Sequence, residues 1–218
     1  MSWWRRLRRS GSDRRNERVW HVRLALPGWH YEGMRGEMHG WRDGQGDLIT
    51  LVIRSLDHGL PELSDDATLQ HFGRKLAESR GGGLIEVRRS TSPLGGTAAV
   101  IYKRLLMPAY AYTGMLFAPY AEPPQVWTVV AEERGTTGVR EATIAAELLN
   151  AGSMTVEDYK RSWAKDPYDS EYHSADRGVL RFVSDDESYD ERFPQHPLTK
   201  VRLILAALPA SIATKPTG

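Results

Sequence analysis

The sequence predicts an α+β fold: an antiparallel sheet of about six or seven strands with helices packed on its faces, plus a C-terminal helical extension. Three observations predict it. Short runs with alternating or β-branched apolar residues recur between residues 19 and 132 and are separated by Gly/Pro turns. Two segments of helical period, near residues 65–80 and 139–150, interrupt and follow those runs. Beyond residue 153 the signals become helical, with two capping-box patterns and a proline-opened apolar stretch.

Residues 1–18 read as a flexible basic arm, charged and without a period. The core starts at Val19, where Trp20, Val22, Leu24 and Leu26 alternate with His21, Arg23 and Ala25 and stop at Pro27-Gly28. Gly33 to Trp41 carries a weaker strand signal, and Trp29, Tyr31 and Trp41 surround expected turns. DLITLVIR, residues 47–54, is a nearly unbroken apolar run rich in β-branched residues and suited to a central strand.

Ser64 or Asp65 then opens a helix whose Leu69, Phe72 and Leu76 share one face. Gly81 is suited to the left-handed conformation that closes it. Residues 84–89 and 97–103 make a hairpin, and residues 110–117 and 126–132 a second pair across a proline-rich loop. Residues 139–150 form an alanine-rich helix with Val139, Ala142, Ala146 and Leu149 expected inward.

In the tail, Thr155 with Asp158 and Ser184 with Glu187 match the capping-box spacing. Pro197 opens a last helix through Val201, Leu203, Ile204, Leu205 and Leu208, with Pro209 expected to stop it. The domain plan is thus an arm over 1–18, an α+β core over 19–152 and an acidic, aromatic-rich helical extension over 153–218 that packs on the core.

Composition bounds the function classes. The chain has 218 residues, 40% of them hydrophobic and 26% charged, and no cysteine. That composition suits a globular protein and excludes disulfides, thiolate metal sites and a cysteine nucleophile. The expected location is cytoplasmic. The charge is polarised. Seven arginines fall in the first eighteen residues, while residues 166–191 carry nine acids against Arg177 and Arg181. Such asymmetry points to partners. Trp3 and Trp4 beside Arg5, Arg6, Arg8 and Arg9 make the arm a candidate tether to an anionic membrane surface.

Chemical signatures are sparse. Gly81-Gly82-Gly83 follows a helix and precedes a strand, the reverse of a phosphate-cradling loop. None of the seven histidines pairs with another at i, i+4. The acids at Asp185, Asp186, Glu187 and Asp190 lack calcium-loop spacing and suit a helix start instead. No nucleophile elbow occurs. The acidic tail disfavours nucleic acid.

The residues GDLITLVIR, LGGTAAVIYKR and YTGMLF…VWTVVAEE, in the order of strands and helices around them, resemble the PsbP-like fold over residues 19–152. That group spans extrinsic oxygen-evolving subunits, Ran-binding nuclear-import factors and many bacterial proteins. The resemblance implies a non-enzymatic docking module and carries over no contact residue. The expected function is an intracellular adaptor without cofactor or metal. Its acidic C-terminal face, Asp185, Asp186, Tyr189 and Asp190 with Trp163 beside it, would meet a basic protein partner. The rival is a hydrolase-type enzyme with an unrecognised carboxylate site, which predicts a concave pocket holding two carboxylates of perturbed pKa.

Overall fold

Alternating side chains in the middle of the chain bury two faces of one sheet. A computed structural model describes residues 20–53, 65–172 and 179–216. The arm residues Trp3, Trp4, Arg5, Arg6, Arg8 and Arg9, and Ser64, lie outside them. The sheet contains β2 (Trp29–Arg35), β3 (Met38–Asp43), β4 (Leu48–Ile53), β5 (Gly83–Ser92), β6 (Gly95–Leu106), β7 (Ala109–Ala118) and β8 (Gln125–Glu132). Its order is β2-β3-β4-β8-β7-β6-β5, and every neighbouring pair is antiparallel. The fold is α+β.

One face carries Ile49, Leu51, Ile101, Tyr112, Leu116, Trp127 and Val129, which pack on Leu198, Val201, Leu205 and Leu208 of α4 (Pro197–Ser211). The other carries Leu84, Val100, Tyr102 and Phe117 against α1 (Asp66–Ser79). Each fully buried large apolar side chain contributes roughly 1.5–3 kcal/mol of transfer free energy. Asp65 caps α1 by accepting from the Thr68 amide, and Gly81, at φ 67°, closes it. Gly114 lets α4 approach, because a Cβ there would lie 2.6 Å from both Leu205 Cδ1 and Val201 Cγ1.

Five expectations need correction. β1 (Trp20–Leu24) stands outside the main sheet and pairs with β11 (Ile212–Pro216). Trp29 and Tyr31 lie on an edge strand and Trp41 on its neighbour; the turn between them sits at Gly36, φ 61°. α4 runs through Pro209 to Ser211. Proline so near a helix end forfeits one hydrogen bond, while burial of Leu205 and Leu208 holds the turn in place.

The fourth correction concerns α2 (Val139–Asn150). Its buried residues are Arg140, Ile144 and Ala145, whereas Val139 is exposed. Apolar counting chose the wrong face because the true one includes an arginine. That face meets Trp163, Phe182 and partly buried Met154, Tyr189 and Phe193 from the tail. The tail comprises α3 (Val156–Ser162), the short pair β9 (Ala164–Lys165) and β10 (Arg181–Phe182), and 3-10 turns at Val183–Asp185 and Glu187–Arg192. Thr155 and Asp158 form the expected capping box. Ser184 does not cap as expected: its Oγ is buried without a partner, and Asp186 accepts from the Ser188 amide instead.

The β5 edge is partly covered. The Tyr168 hydroxyl accepts from the Val87 amide and donates to the Val87 carbonyl, which removes one strand-pairing position. No helix of the described residues is long and apolar enough to cross a membrane.

Candidate functional site

Asp185, Asp186, Glu187 and Asp190 of the tail are each matched inside the chain. Asp185 has no exposed surface, and its Oδ2 accepts from Lys103 Nζ at 2.7 Å and from the Phe182 amide at 2.8 Å. Asp190 accepts from Arg140 Nη1 and from Arg202 Nη1, each at 2.9 Å. Asp186 pairs with Arg181, and Glu187 with Arg88. Arg140 also donates to the Ser184 and Asp186 carbonyls and to Thr199, so one guanidinium from α2 gathers the acidic turn. The acidic face expected around these residues is therefore not a free surface. Asp185 and Trp163 are buried and Tyr189 is half-buried against α2; Asp186 remains at the surface beside Arg181. The physical reason is that arginines and a lysine on the sheet and helices claim the acids as buried or half-buried pairs, which removal from water requires.

A different constellation forms where β8 ends. A cleft of about 730 Å³ opens between the loop after β8, the start of α2, and the loop that leads into α4. Arg134, Arg140, Arg192 and Lys200 line it, together with Glu133 and His196. That volume falls in the range of small-molecule sites, about 300–1,000 Å³.

Glu133 follows the last residue of β8. Its Oε2 accepts from the Tyr110 amide at 2.9 Å and its Oε1 from the Gly138 amide at 3.0 Å, which fixes the carboxylate at the start of α2. Glu141, in the first turn of α2, approaches the Tyr112 hydroxyl through Oε1 at 3.4 Å. The same hydroxyl lies 3.4 Å from Asp185 Oδ1, and a phenol has one proton to give. Glu141 Oε2 has no partner. Burial pushes the Glu141 carboxyl up, and the charges of Asp185 and Glu133 add to that. Burial likewise raises the Tyr112 phenol well above its usual range, so it remains a donor.

His196 caps α4. Its Nδ1 accepts from the Leu198 amide at 3.3 Å, so the proton of the neutral ring sits on Nε2. Nε2 is buried without a partner and lies 3.8 Å from both Glu133 Oε1 and Glu141 Oε1, beyond hydrogen-bonding distance. Burial, and next the charge of Arg140, push the imidazole down to about 3. The pairing geometry suggests a charged histidine and the shift a neutral one. The neutral form is the consistent one, because neither carboxylate is close enough to accept from Nε2.

Glu133, Glu141 and His196 bring their ligand-type atoms within 4.8 Å of one another. A metal is nonetheless a poor fit. A ligating histidine normally donates its second ring N–H to an acceptor; here the second nitrogen faces the Leu198 N–H, a donor. Coordination through Nε2 would set N–H against N–H. The cluster is better matched to a group that accepts from His196 Nε2 and donates to a carboxylate.

None of Glu133, Glu141, His196 and Arg140 belongs to a motif. They come from three segments more than forty residues apart at the widest step. The one local hint is His196-Pro197, a histidine at a helix cap. Set against family models, curated proteins and solved structures, the chain matches none.

Proposed function

We propose that this protein binds a small molecule in the cleft between the starts of α2 and α4, and that its buried carboxylates and imidazole hold that molecule's polar part. One observation carries the reading. His196 lines a concave site, and its Nε2 and the Oε2 of Glu141, which lies behind that lining, are both withdrawn from water and both lack a partner. Buried polar atoms cost roughly 1–3 kcal/mol each when left unmade, so their convergence marks a place where a ligand or ordered water supplies the missing bonds. The carboxylate-site alternative asks for a concave pocket holding two perturbed carboxylates, of which Glu141, behind the cleft lining, supplies one. A basic protein partner is the competing reading. The internal pairing of Asp185 and Asp190 withdraws much of the charge that would attract one.

The test is a thermal-shift screen of acidic, hydroxylated and neutral small molecules, with hits confirmed by calorimetry. A ligand present at a hundred times its Kd stabilises by about 2.7 kcal/mol. The control is Thr136→Trp, which fills the cleft from an exposed loop position. At least one compound should stabilise the parent protein and not the variant. Hits that bind both equally, or a screen without hits, would refute the proposal.

A further inference from the structure

Glu141, in the first turn of α2, stands among titratable groups from every element packed around it. Lys103 faces it from β6, Tyr112 from β7, Glu133 from the loop after β8, Asp185 from the tail and His196 from the start of α4. Arg140, beside it on α2, is committed to the Ser184 carbonyl and to Asp190.

The protons at Tyr112 do not suffice if Glu141 and Asp185 are both ionised. The buried Tyr112 hydroxyl is 3.4 Å from Glu141 Oε1 and 3.4 Å from Asp185 Oδ1. Both distances are long for O–H···O bonds, so the hydroxyl stands between two carboxyls with one proton for them. Both contacts can close only if one carboxyl donates a proton of its own to the phenol oxygen while the phenol donates to the other.

The placement of donors decides which. Asp185 Oδ2 accepts from the Lys103 ammonium and the Phe182 amide, and Glu133 accepts from two backbone amides. Both therefore have donors for a negative charge. Besides the phenol, Glu141 has its own backbone amide, but among the described residues its Oε2 has no partner, and His196 Nε2 is 3.8 Å from its Oε1. A buried neutral acid tolerates that far better than a buried carboxylate. Burial, with the charges of Asp185 and Glu133, pushes the Glu141 carboxyl up against the pull of its amide and of Lys103.

From this arrangement we propose that Glu141 keeps a proton in the folded protein and donates it to Tyr112, and that this proton latches the tail turn over residues 183–192 onto α2, so that the tail loosens as pH rises. The inference goes beyond the binding reading and stands whether or not the cleft takes a ligand. It reaches the cleft all the same, because Arg192, at the end of that turn, lines it. Loss of the proton places a third negative charge beside Asp185 and Glu133, out of reach of water. Glu133 is fixed by the Tyr110 and Gly138 amides, whereas Asp185 lies on a short 3-10 turn, so the tail is the part that yields. The docked tail holds the proton more tightly than the open one, in which Glu141 returns toward its ordinary 4.5. Docking is therefore strongest below that value and is lost as pH rises through the raised folded value.

Two measurements on the full chain test the latch. Infrared spectra in heavy water should show a buried carboxylic-acid band at a pH where exposed carboxyls are ionised, and Glu141→Gln should remove it. Hydrogen-exchange protection over residues 183–193, corrected for the intrinsic rate at each pH, should fall by up to about tenfold per pH unit above 4.5 until Glu141 has titrated, since opening releases one proton. Glu141→Gln retains an N–H that donates to Tyr112, so its tail should stay protected across the same range. Tyr112→Phe removes the acceptor of the acid proton and should move the loss of protection to lower pH. An infrared spectrum unchanged by Glu141→Gln, or tail protection with the same pH dependence in parent and Glu141→Gln, would overturn the inference. Should Glu141→Gln not fold, the parent and Tyr112→Phe decide: a parent without the acid band, or a Tyr112→Phe variant without the shift, overturns it equally.

Discussion

Lys103 Nζ lies 2.7 Å from Asp185 Oδ2, with both side chains wholly withdrawn from solvent. The lysine comes from the middle of the sheet and the aspartate from the tail, 82 positions later. The ammonium also sits 3.1 Å from the centre of the Phe182 ring. Burial pulls the Lys103 ammonium below its usual range even beside Asp185. Burial would raise Asp185, yet Lys103 and the Phe182 amide bring it below the usual carboxylate range. The two shifts conflict over whether the pair is formed. The geometry decides for the pair, because Asp185 accepts from two donors at once. Breaking one side leaves an uncompensated buried charge, which costs about 3–5 kcal/mol. Lys103→Met and Asp185→Leu should each destabilise by that order in urea unfolding. The double substitution should cost much less than their sum. Additive losses would show that the two residues do not depend on each other.

The histidine on the cleft floor sets an acid limit. The His196 imidazole has a folded value of about 3 against an ordinary 6.5. Below pH 6.5 the unfolded chain takes up a proton that the folded chain refuses, so stability is lost as pH falls from about 6.5 toward 3. The size is on the order of a few kcal/mol. Glu141 acts in the opposite sense. Its raised value means that it contributes stability at low pH, lost as pH rises through its folded value. His196→Asn should therefore flatten the acid side of a stability–pH curve, and Glu141→Gln should steepen it. Equal slopes in all three proteins would remove the buried neutral imidazole from the account.

The backbone at Gly114 is where α4 seats. A methyl group there meets Leu205 Cδ1 and Val201 Cγ1, both at 2.6 Å. Gly→Ala in a strand ordinarily gains from a less flexible unfolded chain. Here overpacking should win, with a loss of about 1–3 kcal/mol. Adding Val201→Ala should recover part of that loss, since the two changes share one volume. A Gly114→Ala variant as stable as its parent in denaturant titration would mean that α4 does not rest on β7 at this point.

Much of the fold was legible because it is written locally. The apolar runs of β4 and β8, the Asp65 cap and the Thr155–Asp158 box each depend on neighbours within a few residues. β1 was legible as a strand but not as the partner of β11, since pairing depends on where the two ends of the chain meet. The burial of Arg140 was hidden for the same reason: its acceptors lie 44 and 50 positions away. The acidic run looked like a surface because its counter-ions, Lys103, Arg140 and Arg202, are scattered through apolar segments. Glu133, Glu141 and His196 had no spacing to betray them; only the meeting of the starts of α2 and α4 assembles the cleft.

The tail is held on the sheet edge through a glycine, and this gives a sharp local test. A Cβ on Gly83 would lie 2.0 Å from the Val179 carbonyl oxygen and 2.6 Å from its carbon. Both are backbone atoms, so no side-chain rotation relieves the contact. Val179 and Leu180 are buried there, and the next residues lead to Phe182 and Asp185. Gly83→Ala should lift this segment and loosen the Lys103–Asp185 pair with it. Hydrogen exchange should quicken over residues 179–193. The amides of β7 and β8, in the middle of the sheet, should keep most of their protection, because α1 and α4 still cover them. The cleft should weaken as well, since residues 192–196 follow directly from the displaced turn. Unchanged exchange over 179–193 in the variant would show that the tail does not dock against Gly83.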